Sequence, residues 1–239
     1  MSDKILDEKS LAETLWRLEE VRLGFVPAPA KPDVDAALKW LLSRQAGPGS
    51  YRERKSASFF APTASDIESL RLPTGERLTS GASNKHILGE ETLRALVLWK
   101  KRAEPETRNA LAALNEILDE NVTRMGLTVT PPRERGYFCC TRCTPAFLRA
   151  VSAAKTKGWE ETLANGIAGI KKRRSSDGRW RGYPFYYTLL MLSEAESDSA
   201  RAELKYVRPI AEASLKRYQA KRDRASQFRA YVLQAVLAE

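Results

Sequence analysis

The three cysteines of this 239-residue chain lie within five positions, in "FCCTRC". Helical spacing would put Cys139 with Cys143, or Cys140 with Cys143, on one helix face. Two thiolates and an imidazole are ligands that zinc accepts, and the only histidine, His86, precedes a run that reads as a buried helix. The Cys-x2-Cys unit has no second half in the chain, so burial as small apolar side chains is the competing reading. Arg142, beside the cluster, would favour a thiolate and so adds thiol catalysis as a third.

In "HILGEE", a helix that begins at His86 puts Glu90 on the same face, where its carboxylate could orient the imidazole for proton transfer. The plainer reading places Glu90 and Glu91 in a first helical turn, complementing its dipole. His86, Glu90 and Cys143 are therefore the candidate catalytic residues; Cys139, Cys140, Cys143 and His86 are the candidate zinc ligands.

Further along, "KKRRSSDGRWRGYPFYYTLLML" gathers six cations, Lys171 to Arg174 with Arg179 and Arg181, around the lone acid Asp177. Trp180 and Tyr183 interleave with them, as they would if bases stacked on rings while cations met phosphates. Guanidinium forks would equally pair with a diphosphate. A helix C-terminus with solvated cations is the structural alternative. The aromatics of "YPFYYTLL", with Tyr183 and Tyr187 on one helix face, suit a core or a pocket lining. Candidate ligand-binding residues are Arg173, Arg174, Asp177, Arg179, Trp180, Tyr183, Phe185 and Tyr187.

The elements that must position these residues read as helices. Val34, Ala37, Leu38, Leu41 and Leu42 form one apolar face after Pro32, and Ala110, Leu111, Leu114, Ile117, Leu118 and Val122 form another, ended by Gly126. Leu163, Ile167 and Ile170 make a third face. Between them, Glu90 to Trp99, Thr144 to Ala154 and Phe185 to Leu192 are apolar on nearly every side, as buried helices are. Amphipathic helix, glycine-containing turn and buried helix thus alternate three times. Residues 46–85 read as a long loop insertion with a short helix at Ser65 to Leu70. Residues 200–239 read as a basic helical pair whose first member Pro209 breaks.

The turn Asp177, Gly178, Trp180 before a buried helix resembles a repeat unit of the α/α-toroid proteins, the terpenoid cyclases and protein prenyltransferase β-subunits. "LKWLLSRQAGPGSY" resembles the start of another unit, and "RGYFCCTRCTPAFLRAVSA" is similar to a prenyltransferase segment that opens an inner helix. The resemblance covers about residues 33–196. It implies a curved double layer of helices around an aromatic-lined cavity, which family members use for isoprenoids. The Asp-x-Asp-Asp run of the cyclases and the Asp-x-Cys and His zinc ligands of the prenyltransferases are absent from the sequence, so no catalytic role carries over.

The expected fold is all-α, one domain over residues 1–239 arranged as a partial or small α/α toroid. An apolar or phosphate-bearing small molecule is the first partner this reading expects. The net charge of +10 adds nucleic acid or an acidic protein as the alternative. That charge is uneven: residues 1–30 carry six acids and four bases, residues 201–239 nine bases and four acids. Few cysteines, and no stretch of eighteen apolar residues, place the chain in a reducing cytoplasm without a transmembrane segment.

Overall fold

The computed structural model describes residues 4–45, 60–124 and 138–239. Gly126, expected to end a helix, and most of the turn before the cysteines lie outside the described residues, as do residues 46–59 of the expected loop. What is described is mostly helical: α1 (Leu11–Arg22), α2 (Lys31–Ser43), α3 (Ala64–Glu68), α4 (Gly81–Leu98), α5 (Pro105–Arg124), α6 (Thr144–Ala154), α7 (Trp159–Lys171), α8 (Phe185–Glu194), α9 (Asp198–Tyr206), α10 (Arg208–Gln219) and α11 (Arg224–Ala238). A two-stranded antiparallel hairpin, β1 (Leu70–Arg71) and β2 (Arg77–Leu78), pairs Leu70 with Leu78.

Local signals explain most boundaries. Pro32 stands in the first turn of α2, whose Val34, Ala37, Leu38 and Leu41 are buried as the periodicity requires. Pro145 opens α6, and Lys155 closes it in the left-handed region at φ 46°. Pro209 does separate α9 from α10, sitting in the first turn of the latter. Asp223 caps α11 by accepting from Ser226 N at 3.0 Å.

Two caps come from distant segments. Ser10 accepts from Glu13 N at 3.0 Å, while the buried Asp66 of α3 accepts from Leu11 N at 2.7 Å and from Ser10 Oγ at 2.8 Å. Pro184 has no side chain able to cap α8; Glu76 of the hairpin does so, its Oε1 accepting from Tyr186 N at 2.7 Å and Tyr187 N at 3.2 Å. Residues 60–80 are therefore built into the fold, which corrects the long-loop expectation. Leu70, Leu72 and Leu78 anchor them in the core, and Asn84 Nδ2 of α4 donates to Asp66 O and Ile67 O.

Helices α4, α6 and α8 form an inner layer. His86 meets Cys143, Glu91 meets Arg149, Tyr187 meets Glu91 and Glu194 meets Arg149. The sequence order of the first two pairs makes α4 and α6 run the same way, with α8 packed beside both. Helix α7 returns across the outside: Gly166 lies so close to Leu148 that a Cβ there would sit 2.6 Å from Leu148 Cδ1. No described helix is long and apolar enough to cross a membrane.

Candidate metal centre

Helix α4 begins at Gly81, capped by Ser80, so His86 lies in its second turn and Glu90 and Glu91 lie in its middle. They are not in a first helical turn, and the dipole reading of these acids is corrected. His86, Glu90 and Glu91 are buried, with only 1% of Glu90 exposed. One helical turn after His86, Glu90 does share its face, as the i, i+4 spacing required.

The cysteines do not lie along a helix. They occupy a turn that ends where α6 starts, with Cys143 as its N-cap residue. Thr144 fixes that turn: its Oγ1 accepts from Phe138 N at 2.9 Å and donates to Cys140 O at 2.8 Å. Cys139 holds φ 50°, a conformation uncommon outside glycine that is found where surrounding contacts over-determine the backbone. The Phe138 ring stacks on Phe147 with centroids 4.1 Å apart and stands 5.7 Å from the His86 ring. An aromatic wedge thus presses the turn against α4.

The result is convergence of donor atoms 53 or more residues apart in sequence. The ligand atoms of His86, Cys139 and Cys143 all lie within 4.8 Å of one another. Cys140 Sγ is 3.2 Å from Cys143 Sγ and 3.5 Å from Ser83 Oγ. Around a tetrahedral zinc with bonds of ~2.3 Å to sulfur, neighbouring sulfurs stand about 3.8 Å apart, so the cluster needs only small side-chain shifts to close on an ion. Hydrogen bonds from the Cys139 and Cys143 thiols hold Cys140 far below the ordinary thiol range. The same sulfur contacts, with burial and the nearby Glu90 carboxylate, push Cys143 up.

The other candidate residues lie elsewhere in the fold. Asp177 accepts from Arg179 N at 3.2 Å and closes the turn in which Gly178 takes φ 76°. Arg174 pairs with the buried Glu203 at 2.9 Å and lies 4.1 Å over the Tyr206 ring; Arg173 is half-buried. Arg179 lies over the Phe185 ring. Trp180 is buried, donating from Nε1 to Glu203 Oε2 at 2.9 Å, and its ring is 5.7 Å from Phe185. With Trp180 and Tyr183 both buried, neither ring is presented for base stacking. Tyr183 precedes α8 and so does not share a helical face with Tyr187, contrary to the spacing argument. Surface clefts of about 360 to 440 Å³ open beside α1, α2 and α6, and Trp180, Tyr183, Phe185 and Tyr187 line none of these.

Sequence reasoning missed a buried ion network in the inner layer. Arg149, whose side chain is fully buried, donates to Glu91 Oε1 at 2.6 Å, Glu19 Oε1 at 2.7 Å and Glu194 Oε2 at 2.8 Å. Arg94 reaches Glu194 at 2.6 Å, Arg22 reaches Glu19 at 2.8 Å, and Tyr187 Oη donates to Glu91. Three acids thus face three guanidinium groups, and each guanidinium is claimed by carboxylates. Charged residues inside segments otherwise apolar on every side, Glu91, Arg94 and Arg149, were the available signal. The network reads as structural; the cysteine–histidine cluster is the constellation whose residue types could hold a metal ion. No protein-family model, curated protein or solved structure matches the chain.

Proposed function

We propose that the chain is a zinc protein in which Cys139, Cys140, Cys143 and His86 hold one ion. The convergence of the Cys139, Cys143 and His86 ligand atoms within 4.8 Å carries this reading, with Cys140, its sulfur 3.2 Å from that of Cys143, as the fourth donor. Four protein donors fill a tetrahedral shell, so the centre is of the structural kind rather than one with an open position for substrate. Its work is to fasten the start of α6 to α4, within a helical layer that we read as a partial α/α toroid; the parallel run of α4 and α6 supports that arrangement. Ion binding takes up thiolates, so affinity falls as protons compete at lower pH.

Metal analysis of protein purified without chelators tests this. About one zinc per chain is expected in the unsubstituted protein, with loss in Cys143→Ser and His86→Ala. Cobalt added to the reduced protein should give thiolate charge-transfer absorption that those variants lack. Absence of both the zinc and the cobalt band in folded, reduced protein would end the proposal.

A further inference from the structure

A second surface carries chemistry independent of the metal centre. Tyr206 Oη donates to Ser175 O at 2.6 Å, and a Cβ on Gly178 would lie 3.0 Å from Ile210 Cδ1. The turn after α7 therefore sits directly on the junction of α9 and α10. Thr141 Oγ1 donates to Gly182 O at 2.7 Å, which brings the cysteine turn to the same edge. Exposed cations come from each of the three segments: Arg142 from the cysteine turn, Arg179 and Arg181 from the basic turn, and Lys205 and Arg217 from the α9–α10 pair.

The local acids offset little of this charge. Glu203 is buried under Arg174 and Trp180. Of the exposed acids, Asp177 stands 3.9 Å from Arg179 and Glu212 pairs with Arg208 at 3.2 Å. Ile210 marks the side of α10 that meets the turn, and Arg217, seven residues on, falls on that same side.

The character of the face selects among anionic partners. A bilayer surface is favoured by apolar side chains standing among the cations, and the exposed large apolar side chain among the described residues, Leu98, ends α4 away from this surface. A single strand is favoured by rings on which bases stack, and here Trp180, Tyr183 and Tyr218 are buried and Arg174 covers Tyr206. What remains is a set of cations suited to phosphate contacts without base readout. We infer that this face, formed by the cysteine turn, the basic turn and the α9–α10 junction, binds the phosphate backbone of a nucleic-acid duplex without sequence preference.

The test is fluorescence anisotropy of the full chain with a labelled mixed-sequence DNA duplex, across a potassium chloride series. Contacts to about five phosphates give a log–log salt slope of about −4.5, which is roughly a 500-fold loss of affinity between 50 and 200 mM salt. The triple variant Arg181→Glu, Lys205→Glu, Arg217→Glu should flatten the slope by about 3, since each phosphate contact contributes about one. A control of equal charge change at exposed sites off this face, Lys9→Glu, Lys39→Glu, Lys157→Glu, should keep the slope. Helical circular dichroism confirms that both variants fold. No duplex binding at low salt would overturn the inference, as would equal loss in both variants. So would tighter binding to single strands or to anionic phosphatidylserine vesicles than to the duplex. None of these outcomes depends on zinc content, which is measured separately.

Discussion

Replacing Arg149 with methionine should cost more than any other single change in the inner layer. Methionine is similar in length and apolar, so it fills most of the space and isolates the electrostatic consequence. In the native protein Arg149 is the shared partner of Glu19, Glu91 and Glu194 at 2.7, 2.6 and 2.8 Å. Without it three carboxylates remain against Arg94 and Arg22, and two of them, Glu19 and Glu91, have side chains at most 7% exposed. Removing one partner from a buried pair costs about 3–5 kcal/mol. For a chain of this size that is a fall in Tm of about 6–20 °C.

The pH dependence distinguishes this cause from simple misfit. Burial pushes Glu19 and Glu194 up, but the arginines outweigh it: Arg94, Arg22 and Arg149 hold Glu19 well below the ordinary carboxylate range, and Arg149 and Arg94 lower Glu194. Groups with lowered folded values contribute stability above the unfolded glutamate range near 4.3, and lose it as pH falls through the folded values. In Arg149→Met the burial is no longer outweighed, and at least one carboxylate titrates above its unfolded value. Its penalty is then greatest near neutrality and is relieved as pH falls. Urea unfolding at pH 7.5, 6 and 5 should show the gap between the native protein and the variant narrowing on acidification. A gap below about 1 kcal/mol at pH 7.5, or one that widens toward pH 5, would refute the reasoning.

Other expectations follow from single contacts. Gly166→Ala should lose about 1–3 kcal/mol, because the new methyl meets the fully buried Leu148 at 2.6 Å; an unchanged urea midpoint would contradict that. Asp66→Ala should cost about 1–3 kcal/mol and speed hydrogen exchange at Leu11 and Ala12, whose amides it accepts at 2.7 and 3.3 Å. The Tyr186 phenol, pushed up to about 12 by burial and its hydrogen bond with Tyr218, should ionise late in an alkaline absorbance titration. A strong chelator should lower Tm in the reduced protein and leave it unmoved in Cys143→Ser.

Much of the helical order was legible because one-faced periodicity and proline positions are local. Thr144 to Ala154 is α6 as read, and the face of α2 is buried at Val34, Ala37, Leu38 and Leu41 with Leu42 half-buried at its edge. Helix α1 went unread although Ser10 and Glu13 stand at capping-box spacing and Leu11, Leu15 and Leu18 fall at i, i+4 and i+7; the charged Glu19 and Glu20, buried beside them, break up the apolar pattern. The hairpin was obscured by its shortness, two residues a side, which leaves little alternation to detect. Its turn chemistry, Pro-Thr-Gly between leucines, was the usable sign. For the site, composition named the four donors, but spacing along the chain misplaced the cysteines on a helix. The left-handed Cys139 and the Thr144 lock are tertiary outcomes that no periodicity encodes.

The proposed metal centre and the ion network act on the same pair of helices. His86 and Glu91 stand less than two turns apart on α4, and their partners Cys143 and Arg149 stand at matching separation on α6. An ion at the first position would fix the register of α6 against α4 by coordinate bonds; the network fixes it again by a charge-complementary fit that tolerates no slip of a residue. Apolar packing between two helices of this kind, rich in leucine and alanine, would by itself allow neighbouring registers at little cost. Arg149 and Cys143 therefore restrict the same degree of freedom from two ends. The double variant should therefore lose more stability than the two single variants summed, because in each single variant the remaining fastening still holds α6 in place. A double-variant cycle of Arg149→Met with Cys143→Ser in zinc-loaded protein measures this, and strict additivity would mean that the two fastenings do not share a register.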